Sequence, residues 1–221
     1  MTPKASILIS SFNRLHLFRR TLWSIAMRGP SVPFEVILVD DGSTDGSLEV
    51  AKKYEKDHNI QVISQVNKGL ASARNTGIMN ASYDFILPLD ADDILLDGCI
   101  QKLYQKIKET GADVVAPSFK CFGKYQYQVI LMDNPTLEDF KIGNRIGYCA
   151  AIRKSALLEV GGYNPRMTFG YEDYHLWFNL LHRGKKIVTM KEVLWLYRTK
   201  ERSMIHEAQS HHEELMKQIR K

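Results

Sequence analysis

Three short polar clusters stand directly after apolar runs: Ser10-Ser11-Phe12-Asn13-Arg14, Asp40-Asp41-Gly42-Ser43 and Asp90-Ala91-Asp92-Asp93. Three carboxylates within four positions repel one another, which calls for a compensating cation. Carboxylate oxygens are hard ligands, and the natural compensator is Mn²⁺ or Mg²⁺, which keeps open positions for water and substrate phosphates. The chemistry expected of Asp90, Asp92 and Asp93 is therefore metal-assisted binding of a diphosphate. Any one cluster also fits ordinary turn chemistry, because Asn, Asp, Ser and Gly end strands through local hydrogen bonds. The three together point to a site. No GxGxxG follows the first apolar run and no GxxxxGK[ST] occurs, so neither a dinucleotide fold nor a P-loop is supported.

The elements that must carry these clusters alternate. Ala5 to Ser10, Phe34 to Val39, Gln61 to Ser64 and Asp84 to Leu89 read as strands. Between and after them Leu15, Phe18, Leu22, Ile25 and Ala26, then Leu48, Ala51 and Tyr54, then Leu70 to Ala81, and finally Ile100, Leu103, Tyr104 and Ile107 read as helices. Strands without a polar face, alternating with helices, imply a mostly parallel sheet covered on both sides. In such sheets ligands sit at the carboxyl ends of the strands, where all three polar clusters fall.

After Asp113-Val114-Val115-Ala116 the rhythm changes. Lys124 to Met132 alternates polar and apolar as a hairpin or antiparallel insertion would, and a looser stretch runs to Gly147. Glu172 to Leu181 reads as a helix, Lys186 to Met190 and Val193 to Tyr197 as two strands, and 206–221 as a polar helical tail. His206, His211 and His212 lie in that tail among Glu207, Glu213 and Glu214, where a solvated helix is expected.

With 44% apolar and 25% charged residues, the 221-residue chain has the balance of a globular domain able to bury its own core. Its net charge of +5 comes from 30 scattered bases against 25 acids, which argues against a nucleic-acid partner. A diphosphate substrate or an anionic membrane surface would suit the same excess. Cys99, Cys121 and Cys149 form no CxxC and follow no apolar leader, so a reducing cytoplasmic setting is expected. No apolar stretch reaches the roughly 18 to 20 residues of a membrane span, so membrane contact would be peripheral, at the inner face.

Five blocks, in this order, carry a resemblance: Ile7 to Arg14, Val39 to Asp45, Asn67-Lys68-Gly69 with Ala73-Arg74-Asn75-Thr76-Gly77, Leu89 to Asp93, and Gly170-Tyr171-Glu172-Asp173. From about Ser6 to Ser203 the chain resembles the family-two inverting glycosyltransferases of the GT-A fold. The resemblance implies an α/β domain over 1–205, two abutting Rossmann-like halves around the mostly parallel sheet. Residues 1–115 would bind the nucleotide and 116–205 would frame the acceptor. It further implies transfer of a hexosyl or N-acetylhexosaminyl group from a nucleotide diphosphate donor, preferentially a UDP-sugar, to a hydroxyl of a glycan or lipid-linked acceptor, with Mn²⁺ or Mg²⁺.

Carried over by position, Ser10 and Phe12 flank the base, with Asn13 and Arg14 in the same donor loop, and Asp41 accepts a hydrogen bond from the base. Arg74 contacts the diphosphate or sugar, Asp90 the ribose or sugar, and Asp92 the metal. Lys68 joins the donor site or is simply solvated, and Asn75 joins it or stabilises its helix. Asp173 is the catalytic base, although Glu172 and Asp173 would also suit a helix N-terminus. His175 reads as a structural histidine, and Trp177 and Trp195 as core or cleft wall.

The resemblance breaks at Tyr197-Arg198-Thr199-Lys200-Glu201-Arg202-Ser203, where relatives show Tyr-Arg-x-His-x-x-Ser with the His on the metal. A charged lysine has donors and no lone pair, so Lys200 cannot ligate a metal. It either touches the donor's phosphates or faces water with Glu201 and Arg202. Two rival readings are a nucleotidyltransferase, which would need a glycine-rich loop where Ser10 to Arg14 has no glycine, and a non-catalytic nucleotide-sugar-binding module.

Overall fold

Strands β1 (Ala5–Ser11), β2 (Phe34–Asp40), β3 (Ile60–Ser64) and β4 (Phe85–Asp90) pair in parallel, in the order β3-β2-β1-β4. The structure is a computed structural model that describes residues 4–26, 33–57, 60–201 and 208–219. Successive side chains of a strand point to opposite faces. Leu8 and Ile37 accordingly enter one core, while Ile7, Ile9 and Leu38 enter the other. Both faces of β1, β2 and β4 are apolar, helices α1 (Phe18–Ala26), α2 (Ser47–Asp57) and α3 (Leu70–Asn80) connect the four strands, and α4 (Cys99–Thr110) leads on from them.

The second half extends the same sheet through β5 (Ile94–Leu95), β6 (Val114–Gly123), β7 (Gln128–Val129), β8 (Ala151–Arg153) and β9 (Ile187–Thr199), giving the order β3-β2-β1-β4-β8-β6-β9-β5 with β7 on β6. The long pairing of β6 with β9 is parallel, and the short ones of β5, β7 and β8 are antiparallel. The hairpin expected before Met132 is the β6–β7 pair. The two strands expected over 186–190 and 193–197 are one. Pro117 pairs with Met190 and Ser118 with Val193, so Lys191 and Glu192 fall in a bulge.

Helices α5 (Leu137–Ile142), α6 (Lys154–Glu159), α7 (Glu172–His182) and α8 (His212–Ile219) complete the second half. The stretch expected to be loose thus contains α5, started by a capping box: Asp139 N donates to Thr136 Oγ1 and Thr136 N to Asp139 Oδ2. The expected polar tail is corrected too. Leu215, Met216 and Ile219 are buried on one stripe of α8, in the core that also holds Trp177 and Leu180. His211 stacks on Phe169 with ring centroids 3.8 Å apart, and His212 Nδ1 lies 3.2 Å from Tyr171 Oη; His206 lies outside the described residues. Among the described residues no helix is long and apolar enough to cross a membrane.

Asn75 joins the halves. Its Nδ2 donates to Tyr163 O at 2.7 Å and its Oδ1 accepts from Tyr163 N at 2.8 Å, so its amide serves as an inter-half tie.

Candidate active site

The sheet order turns at β1, which has β2 on one side and β4 on the other, and a cleft of about 940 Å³ includes residues from the carboxyl ends of β1 and β4. Ser10, Phe12, Arg14, Asp41, Arg74, Asp90, Asp92, Asp173 and Lys200 all line it. Asn13 and Lys68 are not among the lining residues. Asn13, at φ 51°, ties two loops together by accepting from Thr44 N at 2.9 Å and donating its own N–H to Ser43 Oγ. Lys68 contributes its backbone, with its side chain exposed.

Asp41 is buried and organises the loop after β3. Oδ1 accepts from Gln65 Nε2 at 2.7 Å and Lys68 N at 2.9 Å, and Oδ2 accepts from Gly69 N at 2.8 Å. Arg14 Nη1 donates to the carbonyls of Phe12 and Asn13 and so braces the donor loop. Phe12, 44% exposed, leaves a ring surface open in the cleft.

Within the protein Asp90 and Asp92 each have a cationic partner, and Asp93 has two hydrogen-bond donors. Asp90 Oδ1 accepts from Arg74 Nη2 at 2.9 Å. Asp92 Oδ2 is ion-paired with Lys200 Nζ. Asp93 does not face the cleft: buried at 1% exposure, it accepts from Tyr148 Oη and from Arg198 N at 2.7 Å. Tyr148 Oη in turn accepts from Asp90 N at 3.0 Å. Burial pushes the Asp93 carboxyl well up, and the charges of Asp90 and Asp92 push the same way. Burial also raises Asp90, against the pull of Arg74.

Arg74 is itself buried at 2% exposure. Its guanidinium lies 4.9 Å from the Tyr148 ring and 5.2 Å from that of Tyr163, and its Nη1 donates to Glu172 Oε1 at 2.6 Å. Both Nη atoms are thus committed to carboxylates of the two halves. For a divalent ion the donor set is small. Asp90 Oδ2 and Asp92 Oδ1 accept no hydrogen bond from the described residues, and no group of three His, Cys, Asp or Glu among those residues could hold a metal by itself. Two carboxylate oxygens fit an Mg²⁺-like ion that takes its remaining ligands from water and substrate phosphates.

Helix α7 begins after Tyr171, a non-glycine residue at φ 60°, with Glu172 bonded to Arg74 and both Glu172 and Asp173 lining the cleft. Asp173 Oδ1 accepts from Tyr174 N at 2.7 Å and Oδ2 from Asn144 Nδ2 at 3.1 Å. It therefore serves the helix start and still presents a carboxylate to the cleft. Burial, with Glu172 beside it, raises its pKa to about 7, against Arg74 and these two donors. His175 lies by Asn164 and Asn179 and not on the cleft, and Trp177 and Trp195 are core. Sequence reasoning does not single out Tyr148, Asn144 or Tyr171, nor His212 as a cleft residue, although all four line the cleft. A legible signal exists for Tyr171 alone, which sits in the Gly170 to Asp173 block.

Residues 6–161 match the family described as Glycosyl transferase family 2. Glycosyltransferase GlyA of Streptococcus pneumoniae serotype 4 is 28% identical over 219 residues, 91% of this chain and 31% of GlyA. Glycosyltransferase GlyG of the same organism is 31% identical over 192 residues, 77% of this chain and 63% of GlyG. The chain thus spans less than two thirds of either relative's length. The crystal structure of S. aureus TarS 1-349 superposes with a TM-score of 0.74 at 20% identity, covering 94% of this chain and 69% of that one. Its complex with UDP-GlcNAc gives 0.75 at 19%, covering 92% and 61%. The expected GT-A fold is the one these structures share with the chain.

Proposed function

The chain belongs to glycosyl transferase family 2, and from that premise we propose that it transfers a hexosyl or N-acetylhexosaminyl group from a UDP-sugar to a hydroxyl of a glycan or lipid-linked acceptor, with inversion. The observation that carries this reading is the Asp173 carboxylate, raised to about 7 and lining the same cleft as Asp90, Asp92 and Lys200. A base with a pKa near the working pH is suited to general base catalysis. The acceptor oxygen attacks the anomeric carbon as its proton passes to Asp173. The bond from that carbon to the phosphate oxygen breaks, and its electron pair leaves on the diphosphate. Phe12 offers the base a ring to pack on, and Asp41 retains a lone pair for a donor on the base. When bound, Mn²⁺ or Mg²⁺ would be held by Asp92 with Asp90 beside it, neutralising diphosphate charge.

UDP-GlcNAc is the first donor to test, because TarS binds it and a poly-beta-1,6-N-acetyl-D-glucosamine synthase of Staphylococcus epidermidis is 28% identical over 73% of this chain and 42% of its own length. A panel of UDP-sugars is assayed for UDP release with and without Mn²⁺ and glycan acceptors. Release from one donor, increased by an acceptor, is expected. No release from any donor, together with no UDP binding, would refute the reading.

A further inference from the structure

The cleft is lined by Asp41, Asp90, Asp92, Glu172 and Asp173, an acidic surface for a ligand that carries a diphosphate. The cations that line the cleft are not equally available. Arg74 is 2% exposed and gives one N–H of each Nη to a carboxylate, Glu172 or Asp90. Arg14 braces the carbonyls of its own loop. Arg198 lies 4.4 Å from the Phe122 ring and donates its Nε to Asp92 O at 3.1 Å. Lys200 differs from all three. It is 32% exposed on a flexible stem, and its partner among the described residues is a single carboxylate, Asp92 Oδ2.

Its backbone, in contrast, is fixed. Arg198 N donates to buried Asp93 at 2.7 Å, and Thr199 Oγ1 accepts from Tyr125 N at 2.8 Å with its one hydrogen in reach of Tyr125 O at 2.8 Å and Phe122 O at 3.0 Å. A rigid base and a flexible ammonium beside the acids form a cation that can turn from carboxylate to ligand without moving the strand. An ammonium has three donors, so one can stay on Asp92 while the others reach an anion.

We propose that Lys200 is a diphosphate-binding residue, a built-in cation that neutralises the donor's phosphates and meets the charge growing on the leaving diphosphate, with or without a divalent ion. The inference rests on the nucleotide-sugar reading above and deepens it. No proton moves at Lys200. The electron pair of the breaking bond goes to the leaving phosphate oxygen, and the ammonium stabilises it there. Occupation of Asp92 by Lys200 also sets the ammonium and a divalent ion in competition for that carboxylate, so metal should gain less here than it would on a free aspartate.

The test titrates UDP, UMP and uridine into the wild type, Lys200→Ala and Lys200→Arg by calorimetry at low salt, first in EDTA and then with Mn²⁺. In EDTA the wild type should bind UDP, and Lys200→Ala should bind it at least tenfold more weakly. UMP and uridine affinities should stay within about twofold, which shows the variant folded, and Lys200→Arg should recover most of the UDP affinity. Mn²⁺ should rescue Lys200→Ala more than it improves the wild type. Equal UDP affinity of the wild type and Lys200→Ala in EDTA would overturn the inference, as would wild-type binding that appears with Mn²⁺ alone; both leave the nucleotide-sugar reading standing. A wild type that binds no UDP in either condition would overturn that reading and the inference with it.

Discussion

Arg74 Nη1 and Glu172 Oε1, 98 positions apart in the chain, meet at 2.6 Å inside the protein, while Arg74 Nη2 holds Asp90 Oδ1 at 2.9 Å. One guanidinium thereby locks the strand end that carries the acid cluster to the helix that carries Asp173. Side-chain exposures of 2% for Arg74 and 8% for Glu172 mean that neither charge has water to fall back on. Removing one member of such a group leaves a buried charge unpaired, at a cost of about 3 to 5 kcal/mol. Arg74→Ala should lose about that much stability in urea denaturation, and Arg74→Lys should recover little, because a point charge cannot reproduce the fork. A loss below about 1 kcal/mol in Arg74→Ala would show that the clamp does not hold the halves together.

The pKa of Asp173 sets a pH profile. Its carboxyl is raised to about 7, chiefly by burial and then by the Glu172 charge. The active form of a base is the carboxylate, so transfer at low acceptor concentration should fall about tenfold per unit below that pKa and level off above it. Asp173→Asn should bind UDP as the wild type does, lose ~10² to 10⁴ in rate and lose the pH step. A wild-type rate constant in pH between 5 and 8, or full activity in the amide variant, would remove Asp173 from the base role.

Tyr148 supports the acid cluster from the second half. Its Oη accepts from Asp90 N at 3.0 Å and donates to Asp93 Oδ2, so Tyr148→Phe leaves a buried N–H and a buried carboxylate each short of a partner. Either unsatisfied group costs about 1 to 3 kcal/mol. The melting temperature should drop by several degrees, and UDP affinity should fall because the Asp93 bond to Arg198 N anchors the strand end before Lys200. Unchanged melting and unchanged UDP affinity would show that the hydroxyl carries no structural load.

The first half is legible because β1, β2 and β4 are buried on both faces and stop in turn-forming polar clusters. Ile7 to Ile9 followed by Ser10 and Ser11, and Val36 to Val39 followed by Asp40 and Asp41, mark both the element and its functional end. What stays hidden is non-local. Nothing near Tyr148 signals that it bridges Asp90 and Asp93, because that pairing exists only once β8 has come beside β4. Lys191 and Glu192 read as a break between two strands, since a bulge expels charged residues from the ladder as a turn does. The stripe of Leu215, Met216 and Ile219 is too short, among Glu, Lys and Gln, to outweigh the polar composition of its segment. The acid cluster is legible as a site, while the protein's own compensation of it by Arg74, Lys200 and Tyr148 is not, because those residues come from three other segments.

The turn at Asp41 and Gly42 supplies the last prediction. Asp41 accepts from Gln65 Nε2, Lys68 N and Gly69 N, and thereby shapes the loop that runs from β3 into α3 beside the donor site. Asp41→Asn keeps the shape but turns one oxygen into an NH₂ group. With Oδ1 retained for Gln65 and Lys68, the new amide nitrogen faces the Gly69 N–H, donor against donor, and the flipped amide merely moves the conflict to Lys68. One N–H of the loop then loses its acceptor, which costs about 0.5 to 1.5 kcal/mol and should weaken UDP binding roughly two- to tenfold. Gly42→Ala attacks the same loop from the backbone. Gly42 sits at φ +78°, and an added Cβ would stand 2.9 Å from Asn67 N and 3.3 Å from Gln65 O. Both obstacles are main-chain atoms, so the loop must shift, and the left-handed conformation adds strain of about 1 to 3 kcal/mol. Both variants should melt lower than the wild type and bind UDP more weakly, by thermal denaturation and calorimetry respectively. If Asp41→Asn binds UDP with wild-type affinity, Asp41 neither shapes the loop for the nucleotide nor touches its base.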